Sequence, residues 1–192
     1  MPRAGLDPAA VVAAGAALAD EVGLANLTMG LLAERVGVRT PSLYKHVSGQ
    51  EDLNRRIAVL AMSQAADAMG SAIQGYAGRD ALAAAARALR TFVMEHPGRY
   101  AATIGVEPSG PDDPLATEGR RAMDAFAAVL RGYEIEEPDV DHALRMLRSL
   151  CHGFATLQAA GGFQWSADID ESFEWLIAFT DQGLRALGQR RA

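Results

Sequence analysis

The chain carries one cysteine, Cys151, and one lysine, Lys45, in 192 residues. A lone cysteine excludes an internal disulfide and any cysteine-cluster metal site. No apolar run approaches the roughly 20 residues needed to span a bilayer. The Ala-rich start carries Gly15, Asp20 and Glu21 and lacks the basic segment and cleavage signal of a leader. A cytoplasmic protein with no membrane partner is therefore expected. Alternating β-branched runs and Asn-Gly turns are missing, so strands are not expected. Of the four histidines, His46, His96, His142 and His152, the last two lie ten apart on one helical stretch, and no Glu-x-x-His pair accompanies them. No metal site follows from that spacing. There is no nucleophile elbow and no glycine-rich phosphate loop with its strand and lysine. Neither catalytic residues nor a cofactor are expected.

What the chain does have is apolar bulk: 49% hydrophobic residues against 22% charged ones, enough for a substantial core. Net charge is −6. Over residues 1–60 the charges balance, so the surplus of acid lies entirely in the remainder. A neutral head on an acidic body fits a protein that meets a polyanion at one end only.

Residues 27–53, LTMGLLAERVGVRTPSLYKHVSGQEDL, organise the head. Thr28 reads as the N-cap of a short helix, with Leu31, Leu32 and Val36 as its apolar stripe. Ala33 stands four residues before Gly37. A small residue there lets the next helix approach, and glycine supplies the positive φ of a tight turn. Val38 and Leu43 anchor the far side. Thr40 and Pro41 read as N-cap and N1 of a second helix running to Val47, and Ser48-Gly49-Gln50-Glu51 as a capping box for a third. Between Pro41 and Val47 only Leu43 and Val47 are packing residues. Ser42, Tyr44, Lys45 and His46 present hydroxyls, an amine and an imidazole. Such a helix suits base edges in a DNA major groove, and the plainer alternative is a solvated face of an all-α protein.

The stretch resembles the DNA-binding domain of the TetR family of bacterial transcription regulators. Leu27-Thr28, Leu32-Ala33-Glu34, Val36-Gly37-Val38 and Pro41-Ser42-Leu43-Tyr44-Lys45-His46-Val47 carry the likeness. The resemblance implies that Thr28 holds a phosphate and that Arg39, Thr40, Pro41, Ser42, Tyr44, Lys45 and His46 face double-stranded operator DNA. Gly30 and Gln50 depart from the common pattern, which has longer polar or basic side chains there.

Around this motif the spacing predicts about nine helices. Asp7-Pro8 opens the first, which Gly23 ends, and Arg3 in the arm before it is a candidate phosphate contact. The third capping signal starts a long helix from Ser48 to about Ile73. Others follow over Asp80 to Glu95, Arg99 to Val106, Asp113-Pro114 to Arg131, Asp139 to about Gly161, and Asp168 to Leu187. The expected architecture is all-α: a helix-turn-helix DNA-binding domain over residues 1–50 and a helical ligand-binding and dimerisation domain over 51–192.

The last two helices carry apolar stripes at alternating spacings of three and four. Leu147, Cys151, Phe154, Phe173, Leu176, Ile177, Thr180 and Leu184 are the candidate homodimer contacts, through a four-helix interface. A buried monomeric core would have the same pattern. Phe92, Met94, Tyr100, Met123, Phe126, Met146, Phe154, Phe163 and Trp165, with Gln158 and Thr103 as polar points, are candidates for an effector pocket or for simple core. The segments around His152-Gly153, Gly161-Gly162 and Phe173 resemble the WHG class of TetR C-terminal domains, with Cys151 where that class has tryptophan. The expected function is a TetR-type repressor released from a palindromic operator by a small apolar effector. The alternative is a helical-bundle enzyme or small-molecule-binding protein without DNA activity.

Overall fold

Asp7 starts the first helix as its sequence requires: its carboxylate accepts the Ala10 N–H at 2.7 Å, and Pro8 follows in the first turn. A computed structural model describes residues 6–189; Arg3 and its candidate phosphate contact lie outside them. Among the described residues there are nine α-helices and no strand. They are α1 (Pro8–Val22), α2 (Met29–Arg35), α3 (Thr40–Leu43), α4 (Gln50–Ala72), α5 (Gly78–Glu95), α6 (Pro97–Ala101), α7 (Pro114–Leu130), α8 (Glu137–Ala159) and α9 (Ile169–Gly188). Short 3-10 turns occupy Leu24–Asn26 and Arg131–Tyr133.

The helices form two compact units. The first takes residues up to Met62 together with Glu95–Ala116; the second takes Ser63–Met94 and the chain from Thr117 on. In the first unit Val11, Ala16 and Leu18 of α1 bury with Leu32, Leu43, Leu53 and Ile57, and Ala102 and Leu115 join the same cluster. α6 lies on α1 with almost no gap. A Cβ on Gly98 would sit 1.8 Å from the Ala19 carbonyl oxygen. Asp20 of α1 clamps the contact, accepting the Arg99 backbone N–H at 2.8 Å and its Nε at 2.7 Å.

Arg55 of α4 holds the segment that leads into α7. It donates to the Glu107 carbonyl and the Ser109 hydroxyl, both at 3.1 Å, and pairs with Asp113. Asp113 also accepts the N–H groups of Ser109 (2.6 Å) and Leu115 (2.9 Å), the second being the expected cap of α7. Those two N–H bonds, with the nearby Arg55 charge, hold its carboxyl below the usual aspartate range. A lowered folded value means that the charged form stabilises the fold. The contribution is complete above the unfolded value near ~4 and is lost as pH falls through the folded one. Asp113→Asn is therefore expected to melt earlier than the parent near neutral pH. The two melting curves should converge in acid, and a constant difference across the acid limb would contradict this.

In the second unit Arg87 of α5 reaches both carboxylate oxygens of Glu174 on α9, at 2.8 and 2.7 Å. Arg90 donates to Gln158 of α8 at 2.7 Å and to Asp170 of α9 at 2.6 Å, and its guanidinium lies over the Phe173 ring. Tyr133 is buried and donates to Asp181 at 2.7 Å, while Arg185 donates to the same carboxylate. Burial alone would raise the Asp181 carboxyl, but these hydrogen bonds outweigh it and hold it low.

The local signals needed four adjustments. α3 ends at Leu43 rather than Val47, yet the Val47 N–H still bonds the Leu43 carbonyl at 3.0 Å, so the segment keeps a helical turn. Arg39, not Thr40, stands at the cap position of α3, without a side-chain bond. Asp52, not Glu51, closes back on the Ser48 N–H, at 2.8 Å. α6 begins at Pro97 and stops at Ala101, and Gly105 turns the chain with φ +73°.

The candidate dimer set needs a larger correction. Leu147, Cys151, Phe173, Ile177, Thr180 and Leu184 are buried within their own chain, where they pack as core; only Phe154 and Leu176 are partly open. The three-four stripe found the face of α8 and α9 that packs inward.

Candidate nucleic-acid interface and apolar groove

The segment after α2 is built to point outward. Thr28 caps α2, its hydroxyl accepting the Leu31 N–H at 3.2 Å. Gly37 adopts φ +70°, and the Val38 N–H reaches back to the Ala33 carbonyl at 3.0 Å, which closes the turn. Leu43 and Val47 are then sunk in the core of the first unit. Two anchors four residues apart fix which face of the segment remains outside. That face carries Tyr44, 55% exposed, and Lys45, with Arg39 and Pro41 also exposed and Thr40, Ser42 and His46 half-buried. Thr28 is exposed as well. The structure thus leaves five of the eight candidate DNA residues exposed on one unit and the other three partly so.

The α4 cap behind this face is braced. Asp52 accepts Ser48 N–H with one oxygen and Arg56 Nε with the other, both at 2.8 Å. The Arg56 bond, with the Ser48 N–H, lowers its carboxyl and keeps it charged.

The candidate effector residues do not meet in one place. Phe92 and Phe126 are core; Met123 and Met146 are half-buried; Met94 is exposed. Tyr100 and Thr103 belong to the first unit, and Thr103 donates to the Tyr100 carbonyl. Gln158 is engaged by Arg90. Phe154, Phe163 and Trp165, however, line one groove of about 370 Å³ in the second unit, together with Trp175, Leu176 and Phe179. Its walls are almost entirely apolar. The Phe154 ring stands 4.7 Å from Phe163 and 4.9 Å from Phe173. Trp175 and Phe179 stack on each other at 5.4 Å and are 69% and 61% exposed. Sequence reading passed over both, although they stand four apart on α9 and so share one face.

Two polar candidates prove quiet. Burial pushes the Cys151 thiol up to about 12, so it packs as a neutral side chain. Burial and the Arg148 charge lower the His152 imidazole, favouring its neutral form. Among the described residues no group of His, Cys, Asp or Glu could hold a metal, and no helix is long and apolar enough to cross a membrane.

An outward turn-and-helix on one compact unit, with a separate helical unit bearing an apolar groove, defines a helix-turn-helix transcriptional regulator. Residues 11–57 match the model of bacterial regulatory proteins of the tetR family, and residues 82–180 that of the tetracyclin repressor-like C-terminal domain. The uncharacterized HTH-type transcriptional regulator YobS of Bacillus subtilis (strain 168) is 31% identical over 183 residues, 95% of each chain. A possible TetR family transcriptional regulator from Streptomyces coelicolor A3(2) is 25% identical, with a TM-score of 0.74 over 94% of this chain and 100% of that one. BioQ, solved with its double-stranded DNA operator, is 25% identical, with a TM-score of 0.66 over 95% of this chain and 99% of its own. The chain belongs to the TetR family of transcriptional regulators.

Proposed function

We propose that the protein is a homodimeric repressor that reads a near-palindromic operator and leaves it when a small apolar effector binds. DNA reading falls to residues within 1–50, and effector binding and dimerisation to residues within 51–192. The observation that carries the reading is the orientation of one segment: Leu43 and Val47 buried, Tyr44 and Lys45 open. Ser42, Tyr44, Lys45 and His46 meet base edges and phosphates in the major groove, with Arg39, Thr40 and Pro41 at its rim and Thr28 on a phosphate. Two heads read half-sites about 34–36 Å apart, or a multiple of it. The likeness to BioQ, solved on its operator, supports this mode.

The second copy covers the Trp175 and Phe179 face, because stacked aromatic rings left in water mark an association surface. The effector enters the groove beside Phe154, Phe163 and Trp165. It releases DNA only to the extent that it binds better to the dimer whose heads are wrongly spaced. α4 runs unbroken from the first unit into the second and carries the shift. Acting on DNA places the protein in the cytoplasm, and the reading includes no catalytic step.

Tyr44→Ala and Lys45→Ala should each weaken operator binding by roughly tenfold to a hundredfold per head, the range of about 1–3 kcal/mol for one good DNA contact. Lys45→Ala should also reduce the salt slope by about two, one for each head of the dimer. Helicity should not change, since both side chains project from the surface. Fluorescence anisotropy with operator duplex measures this; affinity and slope equal to the parent would remove these residues from the interface.

A further inference from the structure

The first unit contains a cleft of its own, of about 490 Å³, between the first two turns of α4 and the connection from α6 to α7. One wall is polar and the other apolar. On α4, Gln50 and Asn54 lie one turn apart, and the Gln50 amide nitrogen donates to the Asn54 carbonyl oxygen at 2.9 Å. That bond uses one donor and one acceptor. It leaves the Gln50 carbonyl oxygen and the Asn54 amide N–H groups as an acceptor and donors on the same wall. Leu24, Ile104 and Val106 line the same cleft. Ile104 is 54% exposed, a large apolar side chain at an open edge. The small side chains of Ala101 and Ala102 leave the space between the walls unfilled.

The charges nearby are already matched or wet. Arg55 is spent on Asp113, Ser109 and the Glu107 carbonyl, and Glu51 is exposed to water. An anion would find no unmatched cation here, and a cation would meet only the water-exposed carboxylate of Glu51. A neutral one with a hydrogen-bonding edge and a flat apolar body would find both walls complementary. The volume lies within the range of small-molecule sites.

We propose that this cleft is a second small-molecule site, in the DNA-reading unit, for a neutral amphipathic ligand with a carboxamide-like edge. The edge pairs with Gln50 and Asn54, and the apolar body rests on Leu24, Ile104 and Val106. An occupant bridges α4 to the α6–α7 connection, two segments joined there by the Arg55 contacts. The site is separate from the groove of the second unit and does not depend on what that groove binds.

Benzamide is the probe, titrated into the full-length protein and followed by NMR. Saturable shifts are expected at the side-chain amides of Gln50 and Asn54 and at the Ile104 methyls, with a dissociation constant of about 1 mM, as befits so small a ligand. Toluene, which has the ring without the amide, should bind there at least fivefold more weakly. Asn54→Ala and Ile104→Asp should each weaken benzamide at least fivefold while leaving the fold intact by circular dichroism. Shifts that never saturate, shifts confined to the groove around Trp165 and Trp175, or toluene binding as well as benzamide would overturn the proposal. Operator binding measured on the same samples reports on the DNA reading separately.

Discussion

Gly98→Ala is expected to destabilise the first unit by about 3 kcal/mol or more, the upper range for a single substitution. The added methyl would lie 1.8 Å from the Ala19 carbonyl oxygen, 2.1 Å from its carbon and 2.6 Å from the Asp20 nitrogen. These are backbone atoms inside a regular helix, so no side chain can swing away to make room. α6 must then lift from α1, and the Asp20 clamp on Arg99 goes with it. Urea unfolding followed by circular dichroism should show the loss, and operator affinity should fall with it because Leu43 and Val47 share a core with α1. Gly70→Ala is the matched comparison. Gly70 sits inside α4 with nothing within 4 Å of the position its methyl would take. There alanine should stabilise by roughly 0.5–1 kcal/mol through helix propensity. If both variants changed stability equally, the close approach of α6 to α1 would be wrong.

The second large effect concerns assembly. Trp175→Glu combined with Phe179→Glu should convert the dimer to monomer at micromolar concentration. Two carboxylates placed against an apolar partner surface forgo water without gaining a counter-charge. A cost of about 3 kcal/mol or more corresponds to over a hundredfold in the dimer dissociation constant. Each monomer should still fold, since both side chains are mostly exposed. Sedimentation velocity reads the mass directly, and operator affinity should drop because one head alone reaches only one half-site. A species that sediments as a dimer would place the interface elsewhere. Leu147 and Ile177 are poor choices for this test, being core residues whose replacement by Glu would unfold the chain and leave assembly unread.

The head was legible because its signals are local. Cap, glycine turn and paired anchors all lie within 27 residues of sequence, and only the exact cap residues shifted, by one position each. The body was legible as helices and less so as surfaces. α8 and α9 each present two apolar faces, and periodicity gives the angle of a face without telling what covers it. The stripe through Leu147, Cys151, Ile177 and Leu184 is the more regular and faces inward. Trp175 and Phe179 form a shorter stripe that faces out. The effector candidates were chosen for size and softness, which core and cavity demand alike, and so only Phe154, Phe163 and Trp165 came together. The tight approach at Gly98 had no sequence signal, because a glycine needed for space looks like any other.

The core around Leu32 and Leu43 is completed by Ala102 and Leu115, and its α4 is pinned by Arg55 to a carboxylate at position 113. The reading head is therefore not a detachable N-terminal cassette. A fragment ending after α4 would lack α6, the partner on which α1 rests, and a chimaera grafted at that point would inherit a mismatched seam. On the ribosome the same unit stays incomplete until the chain has been made past residue 115. Swapping DNA specificity between relatives thus means transplanting two stretches of sequence together.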